Sequence, residues 1–238
     1  MLELLTNFYY KIYLNNSIFS CVLIFKKQFV YNYLPFICII KIGDFMKILL
    51  GVSNRHVHLT KEDYKILFNK EELNKVRDLV QPHQYVSDLF VDIKTEKNII
   101  KHVRVLGPLR DYTQVEISKT DSYFLGLNPP IVDSGDLENA CNIEIIGPCG
   151  SINRKCAIIS DRHIHITKEQ KEKLGLKDID EVSVLFETEK TTIFSNVKLK
   201  ICDEANLEMH LDTDDANGAL LKTGDYGKIV SLKKPQNY

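Results

Sequence analysis

The 238-residue sequence has no Cys-x-x-Cys motif, and its six cysteines are scattered. A disulfide framework or a cysteine zinc knuckle is therefore not expected. The formal net charge is only −1, which argues against a polycationic surface for nucleic acid. The length suits one large domain or two small ones. Four thiols are interpreted as reduced and mostly buried in a cytosolic protein: Cys141, Cys149, Cys156 and Cys202.

Residues 1–45 differ in composition from the rest of the chain. They hold 11 of the 22 aromatic residues and only two acidic ones, Glu3 and Asp44. The apolar segment at residues 17–25 is shorter than the ~20 residues of a membrane span, and no small-residue secretory cleavage site is evident. We interpret residues 1–45 as an atypical extension, either a targeting segment or a mis-assigned start, with a soluble domain beginning near Met46.

A nine-residue phrase occurs twice. Residues 54–62 have the sequence NRHVHLTKE, and residues 161–169 have the sequence DRHIHITKE. Six positions are identical, three are exchanged for similar residues, and the two copies hold four of the seven histidines. One short motif of this kind is often only a polar strand face, but two copies with matching flanks favour a duplicated metal-binding unit.

Each copy is expected to present two imidazoles on one face of a strand. Apolar residues lead into both copies, and side chains two positions apart in a strand point the same way. His56 and His58 would then project together, as would His163 and His165, with Cα atoms roughly 6.5 Å apart. Such a pair can chelate one cation, and zinc is the first choice for nitrogen ligands.

Both copies continue into a threonine followed by a helix-like stretch. Thr60 with Asp63, and Thr167 with Gln170, resemble capping boxes. The pattern predicts a helix over most of residues 61–80 and a shorter helix after the second copy.

Short strands outnumber helices in the rest of the chain. Because regularly alternating crossover helices are missing, a parallel βαβ sheet is disfavoured. We predict a mainly β fold of two small β-barrels related by duplication and capped by short helices. The predicted strands cover residues 85–93, 99–106, 113–117, 143–146, 182–186, 191–200, 208–211 and 227–232.

Three further residues are candidates for the sites. His210 alternates with apolar neighbours, and a third imidazole for the second pair and a surface histidine weigh about equally. Glu116 would give the first pair the His/His/Glu set that zinc accepts, although an exposed strand glutamate is the simpler interpretation. Arg110 suits a phosphate or a carboxylate, but one arginine is weak evidence. His83 and His102 have no partner pattern and are treated as ordinary residues.

Several segments occur in the same order as the motifs of a known family. Together they resemble the phosphate propanoyltransferases of bacterial microcompartments, the PduL-type phosphotransacylases. The resemblance covers about residues 46–231 and leaves residues 1–45 outside. The segments are residues 51–59 (GVSNRHVHL), 103–110 (VRVLGPLR), 113–118 (TQVEIS), 133–137 (DSGDL), 161–165 (DRHIH) and 207–214 (LEMHLDTD).

The resemblance implies an enzyme that interconverts an acyl-CoA, propanoyl-CoA or acetyl-CoA, plus phosphate with an acyl phosphate plus coenzyme A. It also implies two zinc ions per chain, with Arg110 as the phosphate-binding and catalytic arginine. The implied ligands are His56, His58 and Glu116 for one zinc ion, and His163, His165 and His210 for the other. The positions matched to coenzyme A contacts are Val52, Ser53, Asn54, Lys97, Arg104 and Asn217.

The family fold consists of two β-barrels that do not divide cleanly into N- and C-terminal halves. We accordingly expect residues 46–53 to form a strand of the C-terminal barrel, residues 54–160 to form the first barrel with an inserted helix, and residues 161–238 to form the second. No nucleic-acid or membrane partner is expected. The expected location is cytoplasmic. Three further points stay open: homo-oligomerisation, enclosure in a bacterial microcompartment for propanediol degradation, and association with the shell of that compartment.

Two other functions stay open from the residues alone. A binuclear zinc hydrolase also uses His-x-His at a strand end, but the metallo-β-lactamase pattern places Asp and His soon after the first pair, where this chain has LTKE at residues 59–62. A non-catalytic zinc-stabilised module would have closed four-ligand sites, whereas three protein ligands leave a position open for chemistry.

Overall fold

The computed structural model describes residues 12–15, 18–21 and 46–233. Strands β1 (Ile12–Asn15) and β2 (Ile18–Cys21) pair with each other in the antiparallel direction. The contacts divide the chain into two units, Met1–Met46 and Lys47–Tyr238, and most of the predicted extension lies outside the described residues. Among the described residues, no helix has the length and apolar character needed to cross a membrane.

The larger unit is built mostly from strands, with four short helices among its described residues. The strands are β3 (Lys47–Ser53), β4 (His56–His58), β5 (Lys75–Asp78), β6 (Tyr85–Lys94), β7 (Ile99–Gly107), β8 (Gln114–Glu116), β9 (Ile131–Val132), β10 (Cys141–Ile146), β11 (Ser151–Ser160), β12 (His163–Ile166), β13 (Glu181–Phe186), β14 (Thr192–Ile201), β15 (Glu208–Asp212) and β16 (Tyr226–Lys233). The helices are α1 (Lys61–Phe68), α2 (Lys119–Leu125), α3 (Lys168–Lys173) and α4 (Thr213–Gly218).

The strands form two barrels of six strands each. In the first barrel the order is β10-β11-β8-β4-β7-β6, and pairing of β10 with β6 closes the ring. Strands β5 and β9 are attached to β6 and β11 outside it. In the second barrel the closed order is β12-β14-β13-β16-β3-β15. The prediction of a mainly β fold with two barrels and short helices is confirmed.

The strand before each repeated phrase belongs to the opposite barrel from the strand that follows it. β3 lies in the second barrel, parallel to β15, while β4 lies in the first. β11 lies in the first barrel, parallel to β8, while β12 lies in the second. The chain therefore crosses between the barrels twice, each time just before a His-x-His pair, and the duplication is present in the topology as well as in the sequence.

Apolar side chains of the repeated phrases fill the barrel cores. Val57, Leu59, Ile164 and Ile166 are fully buried, on the strand face opposite the paired histidines. Burying apolar groups of this size contributes roughly 1.5–3 kcal/mol each. This burial fixes the register of the short strands, because a slip of one residue would turn the histidines inward.

The prediction of a helix over most of residues 61–80 is wrong beyond Phe68. Asn69 caps α1 in the left-handed conformation, with φ of 50°, and its N–H donates to the Lys65 carbonyl. This geometry ends a helix. The chain then forms β5, an exposed strand whose backbone pairs with β6, so tertiary pairing overrides the local helical pattern.

The two capping motifs differ. Thr167 and Gln170 form the complete reciprocal box at α3. Thr60 accepts a hydrogen bond from the Asp63 N–H, but the Asp63 carboxylate accepts from Arg154 instead of returning to the Thr60 backbone. Helices α2 and α4 were not predicted, since each is short and directly follows a strand.

The prediction that Cys141, Cys149, Cys156 and Cys202 are mostly buried is wrong. They are free, but only Cys156 is buried, while Cys149 is exposed and Cys141 and Cys202 are half-buried.

Candidate metal centre

The first group of candidate ligands comes from two adjacent strands. β4 and β8 run antiparallel, with His56 opposite Glu116 and His58 opposite Gln114. Residues directly opposite one another share a face of the sheet. One ligand atom from each of His56, His58 and Glu116 lies within 4.8 Å of the other two, and we call these three residues the first cluster.

The second group repeats this arrangement in the other barrel. β12 and β15 run antiparallel, with His163 opposite His210 and His165 opposite Glu208. His163, His165 and His210 again offer ligand atoms within 4.8 Å of one another, and we call them the second cluster. The sequence had left His210 undecided between a third imidazole and a surface residue, and the structure brings its ring to the other two.

The first histidine of each copy is held in the same way. His56 Nδ1–H donates to the Asn54 carbonyl at 2.8 Å, and His163 Nδ1–H donates to the Asp161 carbonyl at 2.7 Å. This fixes the tautomer that leaves Nε2 with a free lone pair. In the second cluster, Nε2 of His163 and Nε2 of His165 lie 3.2 Å apart.

Burial and neighbouring groups set the charge of each cluster. Burial and His210 lower the pKa of His163 to about 4, and burial, His210 and His163 lower the pKa of His165 to about 2. Both imidazoles are therefore neutral near pH 7, the state in which they bind a cation.

The first cluster is charged differently. Burial alone would raise the pKa of Glu116, but His56 and His58 outweigh it and hold the pKa well below its usual value. Burial tends to lower the pKa of His56, but Glu116 opposes this and the net shift is upward. Burial and His56 keep the pKa of His58 well below its usual value. An ionised carboxylate therefore faces two imidazoles, a donor set that suits a cation.

Both clusters line one cleft of about 930 Å³, which falls within the size range of small-molecule and cofactor sites. Arg110 also lines it. Its guanidinium donates to Gln84 at 3.2 Å, to the Tyr112 hydroxyl at 3.3 Å and to Ser134 at 3.4 Å. All three acceptors are neutral. Arg110 also contributes to the lowered pKa of Glu116, but none of its hydrogen bonds among the described residues goes to a carboxylate, and its guanidinium is available to an anion in the cleft.

The structure brings only some of the expected coenzyme A positions to this cleft. Val52, Ser53, Asn54 and Arg104 line it. Lys97 is not among the lining residues, and its ammonium donates to the Tyr123 carbonyl of α2 at 3.0 Å.

Asn217 lies in α4 and does not line the cleft either. The assignment of Lys97 and Asn217 to coenzyme A therefore stays a prediction without support from the geometry of the described cleft.

Two buried polar residues beside the clusters were missed as site residues. Gln114 is fully buried and donates to Glu116 at 2.6 Å. Glu208 is buried and contacts Nε2 of His210 at 2.9 Å. Each stands two positions before the third member of its cluster. Strand alternation alone therefore predicts that each lies on the same strand face as that third member.

Gly51 makes room for this arrangement in the second barrel. A Cβ atom at this position would lie 2.6 Å from Oε1 of Glu208 and 3.1 Å from Cδ2 of His210. Any larger residue would push these side chains away, so the glycine is explained by their close approach to the β3 backbone.

Comparison with known proteins agrees with this geometry. The family model described as phosphate propanoyltransferase matches residues 49–222. A phosphate propanoyltransferase of Thermotoga maritima is 48% identical over 188 residues, covering 78% of this chain and 90% of its own.

The enzymes of the same name from Levilactobacillus brevis and Citrobacter freundii are each 40% identical. The first covers 77% of this chain and 89% of its own, and the second covers 71% and 82%. The family model thus includes both clusters, and the three matches cover 82–90% of the relatives' own lengths. The chain belongs to the phosphate propanoyltransferase family.

Proposed function

We propose that the protein transfers an acyl group between coenzyme A and phosphate at a centre of two metal ions, with zinc as the expected metal. Family membership makes it an acyltransferase that acts on acyl-CoA and phosphate. One observation carries the two-metal part of the proposal. Two clusters of three potential metal ligands open onto the same cleft as Arg110, whose hydrogen-bond acceptors among the described residues are all neutral.

The donor sets fit zinc. The second cluster offers three imidazoles, two of them with lowered pKa, and the first offers two imidazoles and an ionised carboxylate. Both are sets known from zinc enzymes, and each leaves a coordination position for a substrate atom. His56, His58 and Glu116 would hold one ion, and His163, His165 and His210 the other. When bound, zinc supplies Lewis-acid polarisation of the acyl carbonyl and stabilises the thiolate of coenzyme A.

Arg110 has the role of binding and orienting phosphate. Attack of phosphate on a thioester brings anions together, and the guanidinium reduces that repulsion while fixing the geometry of attack. Its three neutral hydrogen-bond partners hold the side chain at the cleft without consuming its charge. A protein nucleophile is not required, since phosphate itself attacks and the thiolate of coenzyme A leaves.

The acyl-CoA would enter along the cleft wall formed by residues 52–54 and Arg104. Arg104 is held there by a hydrogen bond to the Ser87 carbonyl at 2.9 Å and by its position over the Phe90 ring. Propanoyl-CoA and acetyl-CoA are the expected substrates. Enclosure in a microcompartment, association with its shell and self-association stay predictions.

One assay tests the reaction. Release of coenzyme A from acetyl-, propanoyl- and butanoyl-CoA is measured with and without phosphate. We expect release to depend on phosphate and to be matched by acyl phosphate formation. Release that proceeds equally well without phosphate would instead support the hydrolase alternative, and the absence of release from all three thioesters would contradict acyl transfer.

A further inference from the structure

Each cluster belongs to a square of four side chains on two neighbouring strands. In the first barrel the fourth member is Gln114, opposite His58. In the second it is Glu208, opposite His165. The two squares are equivalent by strand pairing, and in both the fourth member stands two positions before the third ligand on the same strand.

Gln114 holds its neighbour with a donor. Its Nε2 donates to Glu116 at 2.6 Å and to Ser134 Oγ at 2.8 Å, while its Oε1 accepts from the Gly135 N–H at 2.7 Å. The Gln114 side chain is fully buried, and hydrogen bonds at both its nitrogen and its oxygen fix the orientation of the amide. Gln114 therefore fixes the position of one carboxylate oxygen of Glu116. The other carboxylate oxygen faces the cluster and lies 3.6 Å from Nε2 of His56.

Glu208 holds its neighbour with an acceptor. Its Oε2 lies 2.9 Å from Nε2 of His210 and accepts from Nε2 of Gln81 at 2.8 Å. Gln81 also donates to the Asn206 carbonyl at 2.9 Å. Glu208 is only 4% exposed, so its carboxylate depends on these partners. Glu208 offers an acceptor where Gln114 offers a donor. This difference matches the third ligand, which is an imidazole in the second cluster and a carboxylate in the first.

We infer that Glu208, supported by Gln81, is a positioning residue that orients His210 in the second cluster. The inference rests on the proposed two-metal function and deepens it. A carboxylate that hydrogen-bonds to an imidazole fixes the orientation of the ring, and losing such a partner typically weakens metal binding 10- to 100-fold. Glu208 acts through His210, as Gln114 acts through Glu116.

The test measures zinc affinity in backgrounds that isolate each cluster. With His56 and His58 both changed to Ala, only the second cluster can bind zinc, and competition with a chromophoric chelator gives its affinity. Glu208→Ala in that background should weaken zinc binding about 10- to 100-fold. Glu208→Gln, which keeps an acceptor but not the charge, should recover part of the loss.

The matched background removes the second cluster through His163→Ala and His165→Ala. There, Glu208→Ala should leave zinc affinity unchanged, while Gln114→Ala should weaken it. A merely structural role of Glu208 would lower the thermal midpoint and affect both clusters together. Far-UV circular dichroism and thermal melts on the same samples identify any variant that is not folded.

The outcomes separate the two proposals. Absence of zinc binding in both backgrounds and in the unaltered protein would refute the two-metal function. Zinc binding at the isolated second cluster with the same affinity in the presence and absence of Glu208 would overturn the positioning role and leave the two-metal function standing.

Discussion

Arg55 and Asp121 form a two-point ion pair, with Nε and Nη2 of the arginine each 2.8 Å from a carboxylate oxygen. The pair has an exact counterpart in Arg162 and Asp215, at 2.6 and 2.8 Å. Both aspartates occupy the third position of the helix that follows a cluster strand. Both copies of the repeated phrase have an arginine at this position. Each arginine thus joins the segment where the chain passes between the barrels to the helix beside its own cluster.

Arg55→Ala should destabilise the fold. Asp121 is buried, and its carboxylate would lose a bidentate partner. Since the arginine side chain is 37% exposed, the full cost of a broken buried pair does not apply, and we expect about 1–3 kcal/mol of lost stability. Urea unfolding measures it. Arg77→Ala, at an exposed arginine of β5, is the matched control and should change stability by less than about 0.5 kcal/mol.

The purified protein should contain about two zinc ions per chain, one at each cluster. His58→Ala should remove the ion of the first cluster and His165→Ala that of the second, because two remaining ligands bind zinc weakly. Elemental analysis by plasma mass spectrometry measures the content, and activity is followed on the same samples. Active protein without any transition metal would count decisively against the two-metal centre.

The paired histidines were predictable because their information is local. Alternation in a strand places His56 with His58 and His163 with His165, and repetition of the phrase made chance improbable. Glu116 and His210 could only be suspected from the residues, since a strand glutamate or histidine looks the same whether it faces a cleft or water. In the structure, Glu116 lies opposite His56 and His210 lies opposite His163, and both line the cleft.

Other features depend on contacts between distant parts of the chain. Glu208 is supported by Gln81, 127 positions away, and Arg55 reaches Asp121 across 66 positions. No pattern within one segment encodes either contact. The wrong extension of α1 has the same origin, because residues 75–78 gain their strand only from pairing with β6.

The thiol of Cys156 should resist alkylation in the folded protein. Burial raises its pKa to about 12, with Asp63 adding to the effect. At pH 8 the reactive thiolate is therefore almost absent. Exposed Cys149 serves as an internal control and should react with iodoacetamide. Peptide mass spectrometry should find Cys156 modified only after unfolding, and equal rates at the two positions in native protein would contradict the burial of this side chain.

A protein starting at Met46 should fold and remain active. Both barrels are closed by strands from residues 47–233, and the family model matches residues 49–222. Circular dichroism, thermal melting and the phosphate-dependent assay should give the values of the full chain within error. Loss of the folded state on truncation would mean that residues 1–45 contribute to the core.

Arg110→Ala should impair the use of phosphate far more than zinc binding. The guanidinium lines the cleft with both clusters but is not a metal ligand. Loss of a charge-assisted contact to phosphate should cost about 2–4 kcal/mol of transition-state stabilisation, roughly 30- to 1,000-fold in rate. Initial rates against phosphate concentration measure the effect, with zinc content determined on the same samples.

Arg110→Lys distinguishes charge from geometry. Lysine retains the positive charge but lacks the planar fork, so it should recover only part of the activity. Its ammonium also cannot reproduce the simultaneous contacts of the guanidinium with Gln84, Tyr112 and Ser134, so a higher KM for phosphate is expected even where kcat recovers. Unchanged phosphate kinetics in zinc-replete Arg110→Ala protein would refute the phosphate role, because removing a guanidinium that binds the anion must weaken that binding.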